Sequence, residues 1–369
     1  MSGTAFVVCN FLAIAFLAVP TPWHWSARNT ATLLFIFWCA VTIIPMALNS
    51  AIWYHHPHVR APVYCDIVTK LRVGGDIGIP ASIFCINRQL EAIAAARQAQ
   101  FSGRDRRRQR LIELAIGLGF PVLIMILHVV VQGHRYDIVQ GVGCIPAYYW
   151  SLPLIFIIWI WPIVFYLAAA VYAVLAFRLF VARRFQFARL LESSKSAIST
   201  GRFVRLIALS VFQIAYSLPV ALYIHISQLR NQKLKAYNGW TSVHFDFNYV
   251  GVVTFADLRR VSASDEALSQ LSYWSYAISC ALFFIFFGLG EESVANYKRG
   301  FYGALRKLGG RRMESSAGKT GTDPVQISLP ELSHAESSDF GYEHDKHPRI
   351  DASHFSGVVV TVHEDKATV

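Results

Sequence analysis

Seven long apolar stretches divide this chain, and arginine and lysine gather on every second connection between them. A helix needs about 20 predominantly apolar residues to cross a hydrocarbon core. The stretches fall at about 3–19, 30–53, 66–88, 111–132, 152–177, 203–226 and 270–290. Runs such as Leu33 to Leu48 and Leu152 to Ala176 are apolar all round, where a soluble helix would carry a stripe. With 54% hydrophobic and 15% charged residues, the composition excludes an ordinary soluble protein. The expected fold is an all-α membrane protein. A seven-transmembrane helix bundle occupies residues 1–300, and a cytoplasmic tail, largely disordered after 313, occupies 301–369. The first stretch is short and ends at Pro20, so a cleaved signal peptide is its alternative reading. The absence of a basic residue over Met1 to Thr4 favours a retained span.

Basic residues set the orientation. The 3–4 loop carries Arg97, Arg104, Arg106, Arg107, Arg108 and Arg110. The 5–6 loop carries Arg178, Arg183, Arg184, Arg189, Lys195, Arg202 and Arg205. The 2–3 and 4–5 loops carry only Arg60 and Arg135. The expected topology puts the amino terminus outside and the carboxyl terminus in the cytoplasm. The net charge of +11 then reports topology and contact with a lipid bilayer, not nucleic-acid binding.

On that topology Cys65, at the edge of span 3, and Cys144, in the 4–5 loop, both face the oxidising side. A disulfide between them would staple the loop over the bundle; two free thiols are the alternative. Cys9, Cys39, Cys85 and Cys280 lie inside spans and read as small apolar packing residues. Span 3 also crowds Asp66, Lys70, Arg72 and Asp76 into its outer half. Charges at membrane depth are costly and turn inward. Asp66 and Lys70, four apart, share a helix face and can pair. Asp76, within Gly74-Gly75-Asp76-Ile77-Gly78, reads either as the polar floor of a ligand cavity or as a packing element. Its glycines permit close helix approach. His128 and His225 read as packed histidines. Pro45, Pro80, Pro121, Pro162 and Pro219 recur mid-span, and Pro162 and Pro219 are candidate switch kinks.

Several chemistries are missing. No lysine lies in span 7 to hold retinal, and there is no phosphate loop, zinc-ligand cluster or nucleophile elbow. The Asp76 stretch lacks the first glycine and the second aspartate of an intramembrane aspartyl protease. No enzymatic activity, cofactor or metal is expected. A transporter or channel lined by the polar residues of span 3 stays open as an alternative, and so does a homodimer.

The stretches Tyr64-Cys65-Asp66-Ile67, Gly74-Gly75-Asp76-Ile77-Gly78-Ile79-Pro80-Ala81 and Cys85-Ile86-Asn87-Arg88-Gln89-Leu90 resemble span 3 of fungal mating-pheromone receptors that bind lipidated, a-factor-type peptides. Gln132-Gly133-His134-Arg135-Tyr136-Asp137 and Gly143-Cys144-Ile145-Pro146 are similar to that family's 4–5 loop. The resemblance covers roughly residues 3–310. It implies a G-protein-coupled receptor at the plasma membrane, a farnesylated peptide pheromone as ligand and a heterotrimeric G protein as partner. A farnesyl chain needs an apolar slot, and a peptide body needs polar partners. Candidate ligand contacts are Lys70, Asp76, Tyr148, Tyr149, Trp150, Tyr273, Trp274 and Tyr276. On the cytoplasmic side, Arg88, Arg183, Arg184, Arg202 and Arg205 are the candidate G-protein surface.

Overall fold

The computed structural model describes residues 3–95, 97, 102–182, 200–260 and 263–289. All of them belong to one unit of the chain, residues 1–308. Arg183, Arg184, the side chain of Arg202 and the whole tail from 301 lie outside the described residues.

Seven long helical segments succeed one another. They are α1 Gly3–Ala18, α2 Thr30–Ile52, α3 Pro62–Ala94, α4 Gly103–Val131, α5 Leu152–Ala182, α6 Thr200–Asn231 and α7 Ala263–Phe287. Five of them, α2 and α4 to α7, are long and apolar enough to cross a membrane. The other two miss for separate reasons. α1 is apolar but has only 16 residues, and α3 is long but interrupted by its charges. α6 is the least enclosed of the five, with 17% of its apolar window buried against 61% for α2.

The helix ends follow local chemistry. The Asn29 side chain accepts from Thr32 N at 3.4 Å to cap α2. Pro62 starts α3 where its missing N–H costs nothing. Ser102 and Asp105 form a reciprocal capping box on α4. Two prolines leave a mark inside helices. A π-helical turn at Ala115–Gly119 lies just ahead of Pro121, and another at Ile155–Trp159 lies just ahead of Pro162. A proline ring clashes with the carbonyl four residues back, and a wider turn there relieves the clash. The carbonyl that Pro121 leaves without its helical donor belongs to Gly117. It accepts the Trp38 indole N–H from α2 at 2.6 Å. Trp38 also lies over Gly74 and Gly78 of α3, where any side chain would collide with its ring. The glycines expected to admit a close helix therefore admit α2.

A three-stranded sheet, ordered β2-β1-β3, covers one end of the bundle. Strands β1 Tyr136–Val139 and β2 Gly143–Ile145 form an antiparallel hairpin, with Ile138 opposite Cys144. Strand β3 Val250–Val253 pairs with β1 in parallel, Tyr136 opposite Val250. Parallel neighbours need a crossover; here the crossover is α5 and α6. Gly143 has φ +84, and a Cβ there would lie 2.6 Å from the Asn49 side chain, so the hairpin's return strand requires glycine. Beneath the sheet Trp53, Cys65, Val68, Tyr136, Ile138 and Cys144 form a small core. A second core joins α3, α4 and α5 through Val73, Ile77, Ile124 and Ile158. The largest runs through the bundle and includes Phe35, Ile83, Phe203 and Phe283.

Candidate functional site

Under the sheet lies a cavity of about 720 Å³, walled by α3, α5, α6 and α7. The sequence between α4 and α5, together with that between α6 and α7, forms its roof. That roof is fastened at several independent points. Cys65 and Cys144 are joined as a disulfide, with Cα atoms 5.4 Å apart. The Asp66 carboxylate receives Arg135 Nε at 2.9 Å and Nη2 at 2.6 Å, a two-pronged pair. Lys70 Nζ donates to Gln132 Oε1 at 2.7 Å and meets His128 Nδ1 at 2.8 Å. The other His128 nitrogen, Nε2, lies 3.1 Å from the Ala147 carbonyl. A carbonyl only accepts, so Nε2 carries the proton and Nδ1 accepts from Lys70. Gln132 in turn donates to the Arg135 carbonyl at 2.6 Å.

These contacts decide between partners that the helix spacing left open. Asp66 and Lys70 do not pair with each other. Arg135 offers the carboxylate two parallel donors, which the single Lys70 ammonium cannot match. Lys70 spends its own donors on Gln132 and His128. Outside the helices, the hydrogen-bonded Asp66 carboxylate holds the Arg135 guanidinium above its ordinary pKa. Burial pushes the Tyr148 phenol well up, so it stays an uncharged donor.

The second roof segment is laid on the first. Lys235 N donates to the Trp150 carbonyl at 2.7 Å, and Tyr149 OH donates to the Ala236 carbonyl at 3.2 Å. His244 Nε2 lies 2.8 Å from the Val129 carbonyl. The Phe255 amide donates to Gln140 Oε1 at 2.9 Å. At the rim His134 Nε2 and Asp137 Oδ1 are 2.7 Å apart.

Inside, polar and aromatic groups are sorted. Asp76 accepts from the Tyr276 hydroxyl, linking α3 to α7. The Arg72 guanidinium lies over the rings of Tyr273 and Tyr276, at 5.0 and 5.3 Å from their centroids. Deeper, Gln213 Nε2 donates to Ser217 Oγ at 3.0 Å and to Ser279 Oγ at 2.9 Å, joining α6 to α7. The apolar side comes from α5 and α6: Ile158, Trp159, Pro162, Val220 and Ile224. His225 packs against Trp159 with tilted rings, their centroids 4.7 Å apart. The π-helical turn of α5 therefore supplies Ile158 and Trp159 to the wall, a placement such turns often have at sites.

Of the residues singled out from sequence, Asp76, Tyr148, Tyr149, Trp150, Tyr273, Tyr276 and Pro162 line the cavity. Lys70 does not, being occupied by Gln132 and His128. Trp274 faces α1 and packs edge-on against Phe6 at 5.2 Å. Pro219 is exposed, although Ser217 and Val220 beside it reach the wall. Arg88 and Arg205 are half-buried toward the ends of α3 and α6 remote from the sheet. The sequence reading left Arg72, His134, Gln213, His225 and Lys235 out of the ligand set, yet all five line the cavity. Arg72 had a signal, since it precedes Asp76 by one helical turn. The other four depend on loop folding and helix rotation. Among the described residues, no group of three His, Cys, Asp or Glu side chains is placed to hold a metal ion.

Comparison with known proteins matches residues 5–309 to the STE3 family, described as pheromone A receptor. The pheromone B beta 1 receptor of Schizophyllum commune is 38% identical over 298 residues, covering 80% of this chain and 54% of that protein. The pheromone B alpha 2 receptor of the same fungus is 32% identical over 306 residues, covering 83% of this chain and 47% of its own length. Pheromone receptor 2 of Mycosarcoma maydis is 33% identical over 303 residues, 81% of this chain and 84% of its own. The chain spans about half the length of the two Schizophyllum relatives.

Proposed function

This chain belongs to the pheromone A receptor family, and on that premise we propose that it is a seven-span, G-protein-coupled receptor for a farnesylated peptide pheromone. Its amino terminus faces outward at the plasma membrane, and its carboxyl terminus faces the cytoplasm. The observation that carries the reading is the cavity. One wall is aliphatic and indole (Ile158, Trp159, Val220, Ile224) and suits an apolar chain; the other holds Arg72, Asp76, Tyr273 and Tyr276 and suits a peptide body.

The arrangement supports a switch. The polar wall joins α3 to α7 through Asp76 and Tyr276, and α7 to α6 through Ser279 and Gln213. A ligand that competes for these hydrogen bonds changes how α6 packs on α7. α6 has the least buried apolar surface of the five long apolar helices, so it moves at the smallest packing cost. Its far end carries Arg202 and Arg205, beside the basic segment proposed to engage the G protein. A ligand shifts such an equilibrium only by its difference in affinity for the two states. The groups that change partners are where that difference arises.

The test is a panel of synthetic farnesylated peptides applied to cells that express the full chain with a heterotrimeric G-protein reporter. At least one peptide should raise nucleotide exchange, and no solute should be taken up. Silence across the panel together with accumulation of a solute would overturn the receptor in favour of a transporter.

A further inference from the structure

Arg72 is held in the cavity wall in an unusual way. Its guanidinium carbon lies over the rings of Tyr273 and Tyr276, at 5.0 and 5.3 Å from their centroids. Among the described residues, none accepts a hydrogen bond from Arg72, and no carboxylate forms an ion pair with it. The obvious partner is Asp76, four residues on. Its Oδ1 is taken by the Tyr276 hydroxyl instead. The cation–π contacts therefore orient the fork without satisfying it.

Asp76 is a charged neighbour of the Arg72 guanidinium but accepts no hydrogen bond from it, so the N–H donors stay open to an acceptor brought by a ligand. A planar carboxylate matches the fork with two parallel hydrogen bonds. Lys235, the other lysine or arginine among the lining residues, does not compete for this role. It is exposed at the rim, 5.8 Å from the Tyr149 ring centroid. Asp76, Asp137 and Asp246 also line the wall, so an acid gains nothing from a general positive field. It gains only by seating on the Arg72 edge.

We infer that the edge of Arg72 is the subsite for a carboxylate on the peptide part of the ligand. The inference rests on the lipopeptide reading only for the apolar end of that ligand. Four probes separate the two claims: N-acetyl-aspartyl-S-farnesyl-cysteine methyl ester, its asparaginyl counterpart, and the same pair with an S-dodecyl chain. Dissociation constants are measured on the full chain in phosphatidylcholine nanodiscs. A charge-assisted hydrogen bond predicts that wild type prefers the acid over the amide about 30-fold within a pair. Arg72→Gln brings that ratio to about 1. Arg72→Lys, which keeps the charge and loses the fork, brings it to about 5. Lys235→Gln leaves the ratio at the wild-type value.

Equal binding of acid and amide by wild type overturns the inference while leaving a lipopeptide receptor intact. So does failure of all four probes to bind, or a ratio unchanged in Arg72→Lys. Should Arg72→Gln fail to fold, Arg72→Lys and Lys235→Gln still decide. If the dodecyl pair binds as tightly as the farnesyl pair and keeps the acid preference, the Arg72 subsite stands and prenyl recognition falls.

Discussion

Asp66 and Lys70 stand one helical turn apart on α3, and so do Arg72 and Asp76. In the upper pair each charge is claimed by the loop above it: Asp66 by Arg135, Lys70 by Gln132 and His128. In the lower pair each charge turns to tyrosines of α7, and the Arg72 donors remain open to the cavity. Spacing of four permits a pair within a helix and contributes only about 0.2–0.5 kcal/mol. A bidentate arginine or a buried hydrogen bond from another element outweighs that. The upper turn is thus part of the scaffold, and the lower turn is part of the site.

The largest expected effect belongs to the scaffold. Cys65→Ser removes the disulfide that fixes the hairpin to α3, and loss of a native disulfide costs about 2–5 kcal/mol. The thermal midpoint of purified protein should drop sharply; an unchanged midpoint would remove the upper turn from the scaffold. Lys70→Met leaves Gln132 and His128 without their shared donor, at about 1–3 kcal/mol of stability. A fluorescence-monitored melt should record that loss while the half-maximal ligand concentration stays put. Asp76→Asn should do the reverse. Surface expression is retained, and the reporter's half-maximal concentration rises about tenfold, as expected for one charge-assisted hydrogen bond. A wild-type dose response in Asp76→Asn would make the two turns equivalent. The smallest effect is the Asp66–Arg135 coupling. Both side chains are partly exposed, at 32% and 40%, so a double-mutant cycle with Asp66→Asn and Arg135→Gln should return a small coupling that shrinks as salt is added.

The long helices were legible in the sequence because their signal is local: apolar runs longer than any soluble helix requires. The ends were less legible: the apolar run of span 3 covers about 66–88, whereas α3 runs Pro62–Ala94. The glycines at 74, 75 and 78 announced a close neighbour but not which one; only the fold shows α2, with Trp38 and Thr42 against them. Asp76 could be singled out because a carboxylate at membrane depth is conspicuous. Trp274 and Tyr273 could not be told apart from the sequence. One residue is a rotation of about 100° on a helix, and that rotation sends Trp274 to Phe6 and Tyr273 to the cavity. The roof was the least legible part. Strand β3 is four residues of valine and glycine, and its partner lies more than a hundred residues away. Parallel pairing at that distance leaves no periodicity to read.

The two ties of the roof also have a counting consequence. Residues bonded through a disulfide lie on one face of a bilayer. The chain between Cys65 and Cys144, which holds α3 and α4, must therefore cross an even number of times. The β1–β3 ladder imposes the same parity on the interval that holds α5 and α6. Each interval contains two crossings or none, never one. On the proposed seven-span topology, a change that expels any one of those four helices from the membrane obliges its hairpin partner to leave with it.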